Sequence, residues 1–160
     1  MAEFDDGGGP VAQVRSALIR FGLGDTVRTF PAGVPTAAAA AEALDCDLAA
    51  ITNSLIFELN GEPLLILASG AARVDTRLVA GQLGEGRIRR ASPGFVLEHT
   101  GQAVGGVAPV GHPEKIRTLL DTSLQEHELL WAGAGDHNSM FSITYKELRT
   151  ITDARELHVR

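Results

Sequence analysis

The apolar positions along the chain fall into short stretches with different periods, and glycine and proline separate them. Behind Pro10, the residues Val11, Val14, Ala17, Leu18 and Phe21 recur at helical spacing until Gly22 and Gly24 close the pattern. A short strand is expected over Thr26–Phe30, and Thr36 is placed to cap an alanine-rich helix over Ala37–Leu44. Ile51–Leu59 and Pro63–Ala68 read as two strands joined at Asn60-Gly61, a pair suited to a tight hairpin because both turn positions need positive φ. Leu64-Leu65-Ile66-Leu67 does not alternate with polar residues, so this strand is expected to be covered on both faces. Asp75 should cap a helix reaching Leu83, and Ser92-Pro93 should start another ending near His99. Further strands are expected over Ile116–Leu120, Glu128–Ala132 and Met140–Ile143, then a helix from Tyr145 to about Ile151. Thr144 and Glu147 supply the capping box of that last helix. Strands and helices mix without a regular βαβ rhythm, which predicts a mixed α/β sheet rather than a Rossmann fold.

The chain has 160 residues, enough for one domain with a real core, and a domain over residues 10–160 behind a tail of residues 1–9 is expected. Hydrophobic residues make up 44% and charged residues 21%, which excludes a disordered chain. No run of apolar residues is long enough to cross a bilayer, and the acidic start MAEFDDGGGP lacks the pattern of a secretory leader. A cytoplasmic protein without a membrane partner is therefore the expectation. Lys+Arg 14 against Asp+Glu 20 gives −6, which disfavours a generic nucleic-acid binder. Arg87, Arg89 and Arg90, extended by Arg73 and Arg77, form the one basic concentration, either a solvated face or a local phosphate grip.

Chemistry concentrates in TGQAVGGVAPVGHP, residues 100–113. Gly101, Gly105, Gly106 and Gly111 let backbone N–H groups converge, as in an anion nest or an oxyanion hole; the plain reading is a surface loop. Gly106 to His112 has part of a phosphate-loop spacing but lacks its Lys and Ser/Thr, so a nucleotide triphosphate site is rejected. Of the histidines His99, His112, His127, His137 and His158, none pairs at metal-ligand spacing, and neither a metal nor another cofactor is expected. His112 in the glycine loop and His137 beside Asp136 are the two placed for chemistry, although a structural role suits either. Cys46, the one cysteine, has no base partner in sequence and reads as a buried, inert thiol. No G-x-S-x-G elbow occurs.

Read in order, the blocks ITNSLIF, PLLILASGAARVD, TGQAVGGVAPVGHP and AGAGDHNSMFSIT with the following ELRTIT resemble the YbaK family. These are free-standing relatives of the editing (insertion) domain of bacterial prolyl-tRNA synthetase. The resemblance spans about residues 30–155. It implies a mixed α/β (α+β) fold with a central, mixed, barrel-like sheet surrounded by helices. It also implies hydrolysis of the ester joining a wrong, small amino acid to the tRNA 3′ end, with tRNA for proline as the expected substrate. No metal and no protein nucleophile would be needed: water attacks while amides around Gly105, Gly106, Val107 and Ala108 stabilise the oxyanion. Asn53, Ser54, Gly111, His112, Asp136 and His137 would then hold the substrate, and a prolyl-tRNA synthetase would be a candidate partner. The family pattern carries lysine in I-x-K-S-L, where this chain has Asn53. An asparagine supplies hydrogen bonds but no charge. The alternative expectation is thus a non-catalytic protein that keeps the fold and binds a small ligand or an RNA end. Oligomeric state is left open.

Overall fold

A computed structural model describes residues 9–160; the tail expected over residues 1–9 lies outside the described residues except for Gly9. The helices are α1 (Pro10–Arg20), α2 (Ala37–Leu44), α3 (Thr76–Leu83), α4 (Pro93–Thr100) and α5 (Tyr145–Thr152). The strands are β1 (Arg28–Thr29), β2 (Ile51–Leu59), β3 (Glu62–Ser69), β4 (Ile88–Arg90), β5 (Arg117–Asp121), β6 (Leu130–Gly133), β7 (Ser139–Ile143) and β8 (Arg155–Leu157). They form one mixed eight-stranded sheet in the order β1-β7-β6-β2-β3-β5-β8, with β4 paired to β2 off this path. Thus the mixed α/β architecture expected from the sequence is the one observed.

Local chemistry sets the element ends. Thr36 accepts from the Ala39 N–H, Asp75 from Arg77 and Leu78, and Ser92 from Phe95. Thr144 and Glu147 complete their reciprocal capping box. Each such cap contributes about 1 kcal/mol by meeting a helix-end donor that would otherwise lack a partner. At the hairpin, Asn60 and Gly61 take φ of 54° and 83°, the left-handed pair that a tight turn between β2 and β3 requires.

Strand β3 lies between β2 and β5 and is covered on both faces. Leu65 and Leu67 enter a core with Val14, Ala17 and Leu18 of α1, Phe141 of β7 and Leu148 of α5. Leu64, Ile66 and Ala68 enter a second core with Val79 of α3, Leu119 and Ile88. Every residue from Leu64 to Ala68 is at most 1% exposed. A third, smaller cluster joins Ala40 and Ala41 of α2 to Val34, Ile51 and Met140.

The structure departs from the pattern-based expectation in places that have physical reasons. Phe21, read as part of the apolar stripe of α1, caps the helix at its C-terminus and is 51% exposed. Strands β4 and β8 have three residues each and carry too little alternation to be read from sequence. The strand expected over Thr26–Phe30 shortens to Arg28–Thr29, and the loop after α4 is mostly buried from Gly106 to Val110 rather than lying on the surface.

Candidate active site

One edge of β2 is interrupted. Along its other edge β3 pairs with it from Thr52 to Leu59. On the interrupted edge, Ile51 and Thr52 pair with β6, and Phe57 to Leu59 pair with β4. Between them, Asn53 to Ile56 have no strand partner on that side among the described residues. A gap of this kind exposes backbone N–H and C=O groups at a sheet edge. Here it opens into a cavity of about 500 Å³, within the range of small-molecule sites.

The glycine loop faces the gap. Val104, Gly105 and Val107 line the cavity, as do Asp136, Gly133, Ser139 and Met140 from the β6–β7 side. Ala103 to Gly106 make a tight turn closed by the Gly106 N–H donating to the Ala103 carbonyl at 3.0 Å. Gly105 occupies its third position with φ +92°, a conformation that glycine takes without a steric penalty. Gly106 is glycine for a different reason: a Cβ there would sit 2.6 Å from Asp136 Cα. Loop and Asp136 backbone are therefore in direct contact, and their spacing sets one dimension of the cavity.

Backbone bonding divides the expected oxyanion amides. Gly106 donates within its turn, and the Ala108 N–H donates to Gln102 Oε1 at 2.7 Å. Neither residue lines the cavity, so the oxyanion role expected of the Gly106 and Ala108 amides does not fit this geometry. The Gly105 and Val107 N–H groups have no hydrogen-bond partner among the described residues, and both residues line the cavity. Gln102 is 1% exposed and holds the loop by bridging the Ala108 N–H and the Val110 carbonyl. Thr100 supports it in turn by accepting from the Gln102 N–H. Gln102 is not among the residues singled out from the sequence, although it is a glutamine inside an otherwise apolar, glycine-rich run.

The expected substrate residues divide as well. Asn53, Ser54 and Asp136 line the cavity; Gly111, His112 and His137 do not. Gly111 packs on Val14 of α1, where a Cβ would meet the Val14 backbone N at 3.1 Å. The His112 ring lies 2.8 Å from the Ala108 carbonyl, and burial holds its pKa below the usual histidine value. It braces the loop from behind. His137 is exposed, and its carbonyl accepts from the Val34 N–H. Asp136 accepts from the Asn138 N–H at 2.8 Å, which fixes the carboxylate against its own turn. Thr52 and Ser54 carry buried hydroxyls without a partner among the described residues, and both residues line the cavity. An unmet buried hydroxyl costs on the order of 1–3 kcal/mol, so this strand carries unused hydrogen-bonding capacity.

Of the basic patch, Arg90 alone reaches the cavity. Cys46 lies away from it, half-buried rather than fully buried, and burial together with Asp47 and Asp45 raises its thiol pKa. Among the described residues no three His, Cys, Asp or Glu side chains are grouped as a metal site, and no helix is long and apolar enough to cross a membrane.

Comparison with known proteins gives this geometry a family. Residues 31–151 match the model of the aminoacyl-tRNA editing domain. The chain belongs to that family. The editing domain is 33% identical over 136 residues to the uncharacterized protein YwhH of Bacillus subtilis, covering 84% of this chain and 86% of that protein. It is 27% identical over 99 residues to a proline–tRNA ligase of Levilactobacillus brevis, covering 62% of this chain and 17% of the ligase. Its fold superposes with TM-score 0.90 on the crystal structure of a proposed trans-editing enzyme for prolyl tRNA synthetase, 33% identical and covering 99% of both chains. The β2 edge, the glycine loop and Asp136 all fall within the matched residues.

Proposed function

We propose that this editing domain is a trans-acting deacylase that hydrolyses the ester of a mischarged small amino acid on tRNA, with tRNA for proline as its substrate. The observation that carries the reading is the pairing of an open β2 edge with two unpartnered amides, Gly105 and Val107, across one cavity. An ester carbonyl held between them would direct its oxygen at the amides, while water attacks the carbon. The tetrahedral oxyanion then gains two preformed donors, each contributing roughly 3–4 kcal/mol at the transition state. Protein nucleophile and metal have no assigned step. Asp136 would take the α-ammonium of the aminoacyl group, which distinguishes an aminoacyl ester from a simple ester.

The apolar part of the lining, Val34, Ala40, Ile51 and Met140, suits a small side chain, and proline would be excluded by size. The folded chain from residue 10 to 160 would act as one unit on the tRNA 3′ end, with a prolyl-tRNA synthetase as a docking partner. Asn53 supports the second reading, a binder without catalysis, because it brings no charge to the β2 edge. One assay separates the two: hydrolysis of Ala-, Cys-, Ser- and Thr-tRNA for proline, with Pro-tRNA as the spared control. An editing enzyme releases at least one small amino acid and leaves proline attached. A binder releases none.

A further inference from the structure

Among the described residues the cavity lining contains one cation and one anion, Arg90 and Asp136. Both border the gap in the β2 edge, Asp136 from the segment after β6 and Arg90 from β4. Asp136 follows β6, which pairs with β2 at Ile51 and Thr52; Arg90 ends β4, where it pairs with Phe57. Thr52 and Phe57 are five strand steps apart, about 16 Å of backbone rise. Arg90 shares a sheet face with its partner Phe57 and therefore with Leu55 and Asn53, because alternate residues of a strand share a face. Its guanidinium has no ion pair or hydrogen bond among the described residues, whereas Arg15, Lys115, Arg117 and Arg149 each have an acidic partner. The residue is exposed, so its charge stands at the cavity mouth rather than in the floor.

Resting on the deacylase reading, we propose that Arg90 is a specificity residue that grips the 5′-phosphate of the terminal nucleotide carrying the amino acid. The ligand chemistry matches the charges of the lining. An aminoacyl nucleotide has an ammonium at one end, a neutral ester and ribose in the middle, and a phosphodiester at the other end. The lining offers the Asp136 carboxylate, the Gly105 and Val107 amides, the polar Asn53 and the Arg90 guanidinium. A guanidinium suits this place because its fork of N–H donors matches two phosphate oxygens. Arg90 thereby supplies phosphate recognition on a chain whose net charge of −6 provides no general attraction for RNA. Arg89 belongs to the opposite strand face, across from Glu58, and takes no part in the grip.

Binding of two stable amide analogues tests this: 3′-alanylamino-3′-deoxyadenosine and the same compound carrying a 5′-phosphate. Titration calorimetry compares the wild-type protein, Arg90→Gln and Arg90→Lys. The phosphate is expected to tighten wild-type binding about tenfold, the size of a solvent-facing charge-assisted contact. Arg90→Gln should lose that gain while binding the unphosphorylated analogue as wild type does, and Arg90→Lys should keep part of it. An equal phosphate gain in Arg90→Gln overturns the assignment and leaves the deacylase reading standing. An equal loss of both analogues also overturns it, because it marks a structural role. If neither analogue binds the wild type, the deacylase reading falls and this inference falls with it.

Discussion

The two adjacent glycines of the loop should respond differently to the same substitution. At Gly106 a methyl group would lie 2.6 Å from Asp136 Cα and 2.7 Å from its carbonyl carbon. Carbon atoms rest about 3.5–4.0 Å apart, so loop and Asp136 segment must separate by about 1 Å. Overpacking of that kind costs about 1–3 kcal/mol of stability. At Gly105 a Cβ meets nothing within 4 Å, but φ of +92° penalises an L side chain by roughly 1–2 kcal/mol. The two variants should thus lose similar stability, read as chemical-denaturation midpoints. Their activity should diverge. A 1 Å misplacement of catalytic groups costs about a hundredfold, so Gly106→Ala should lose on the order of 100-fold in kcat/KM for aminoacyl-tRNA hydrolysis. Gly105→Ala should lose far less, since its amide and the wall spacing are retained. Equal losses in both, or a Gly106→Ala variant within threefold of wild type, would refute the claim that the spacing between loop and Asp136 sets the catalytic geometry.

Three further outcomes follow from single contacts. Gln102→Leu keeps the volume but leaves the Ala108 N–H and the Val110 carbonyl buried and unmet, and equilibrium unfolding should show a loss of about 2–5 kcal/mol. Asp136→Asn keeps an acceptor for the Asn138 N–H and removes the charge; circular dichroism should be unchanged while kcat/KM falls at least about tenfold. Buried His112 has its folded pKa lowered, so the unfolded chain binds the proton more readily. The stability from keeping this ring neutral is therefore fully present above about pH 6.5 and is lost as pH falls from there towards the folded pKa. His112→Gln should flatten that part of the stability profile measured by denaturation between neutral and mildly acidic pH.

Much of the framework was legible because local chemistry and global pattern agree. Thr36, Asp75, Ser92 and Thr144 mark helix starts by side-chain chemistry that acts within three residues, and Asn60-Gly61 marks the hairpin by backbone conformation. Leu64 to Leu67 announced a doubly covered strand because no polar residue interrupts them. The site was legible only in part. Asn53, Ser54, Gly105, Val107 and Asp136 do meet across one cavity. Which amides remain unpartnered depends on long-range bonding: the Ala108 N–H is taken by a side chain six residues back. Gly111 and His112 sit in the same run of sequence, but the chain turns them towards α1 and the loop's own carbonyl. Arg90 belonged to a charge run that composition could not divide; pairing with Phe57 singles it out, because register decides which arginine faces the gap.

The most direct test of the oxyanion assignment is amide NMR of the 15N-labelled protein titrated with a phosphonate analogue of 3′-alanyl adenosine, whose tetrahedral, anionic centre mimics the intermediate. Strong downfield amide proton shifts are expected at Gly105 and Val107, with Gly106 and Ala108 far less affected because their N–H groups already donate to Ala103 and Gln102. Shifts centred on Gly106 and Ala108 instead, or no shift at any of the four, would overturn the assignment of Gly105 and Val107 as the oxyanion donors.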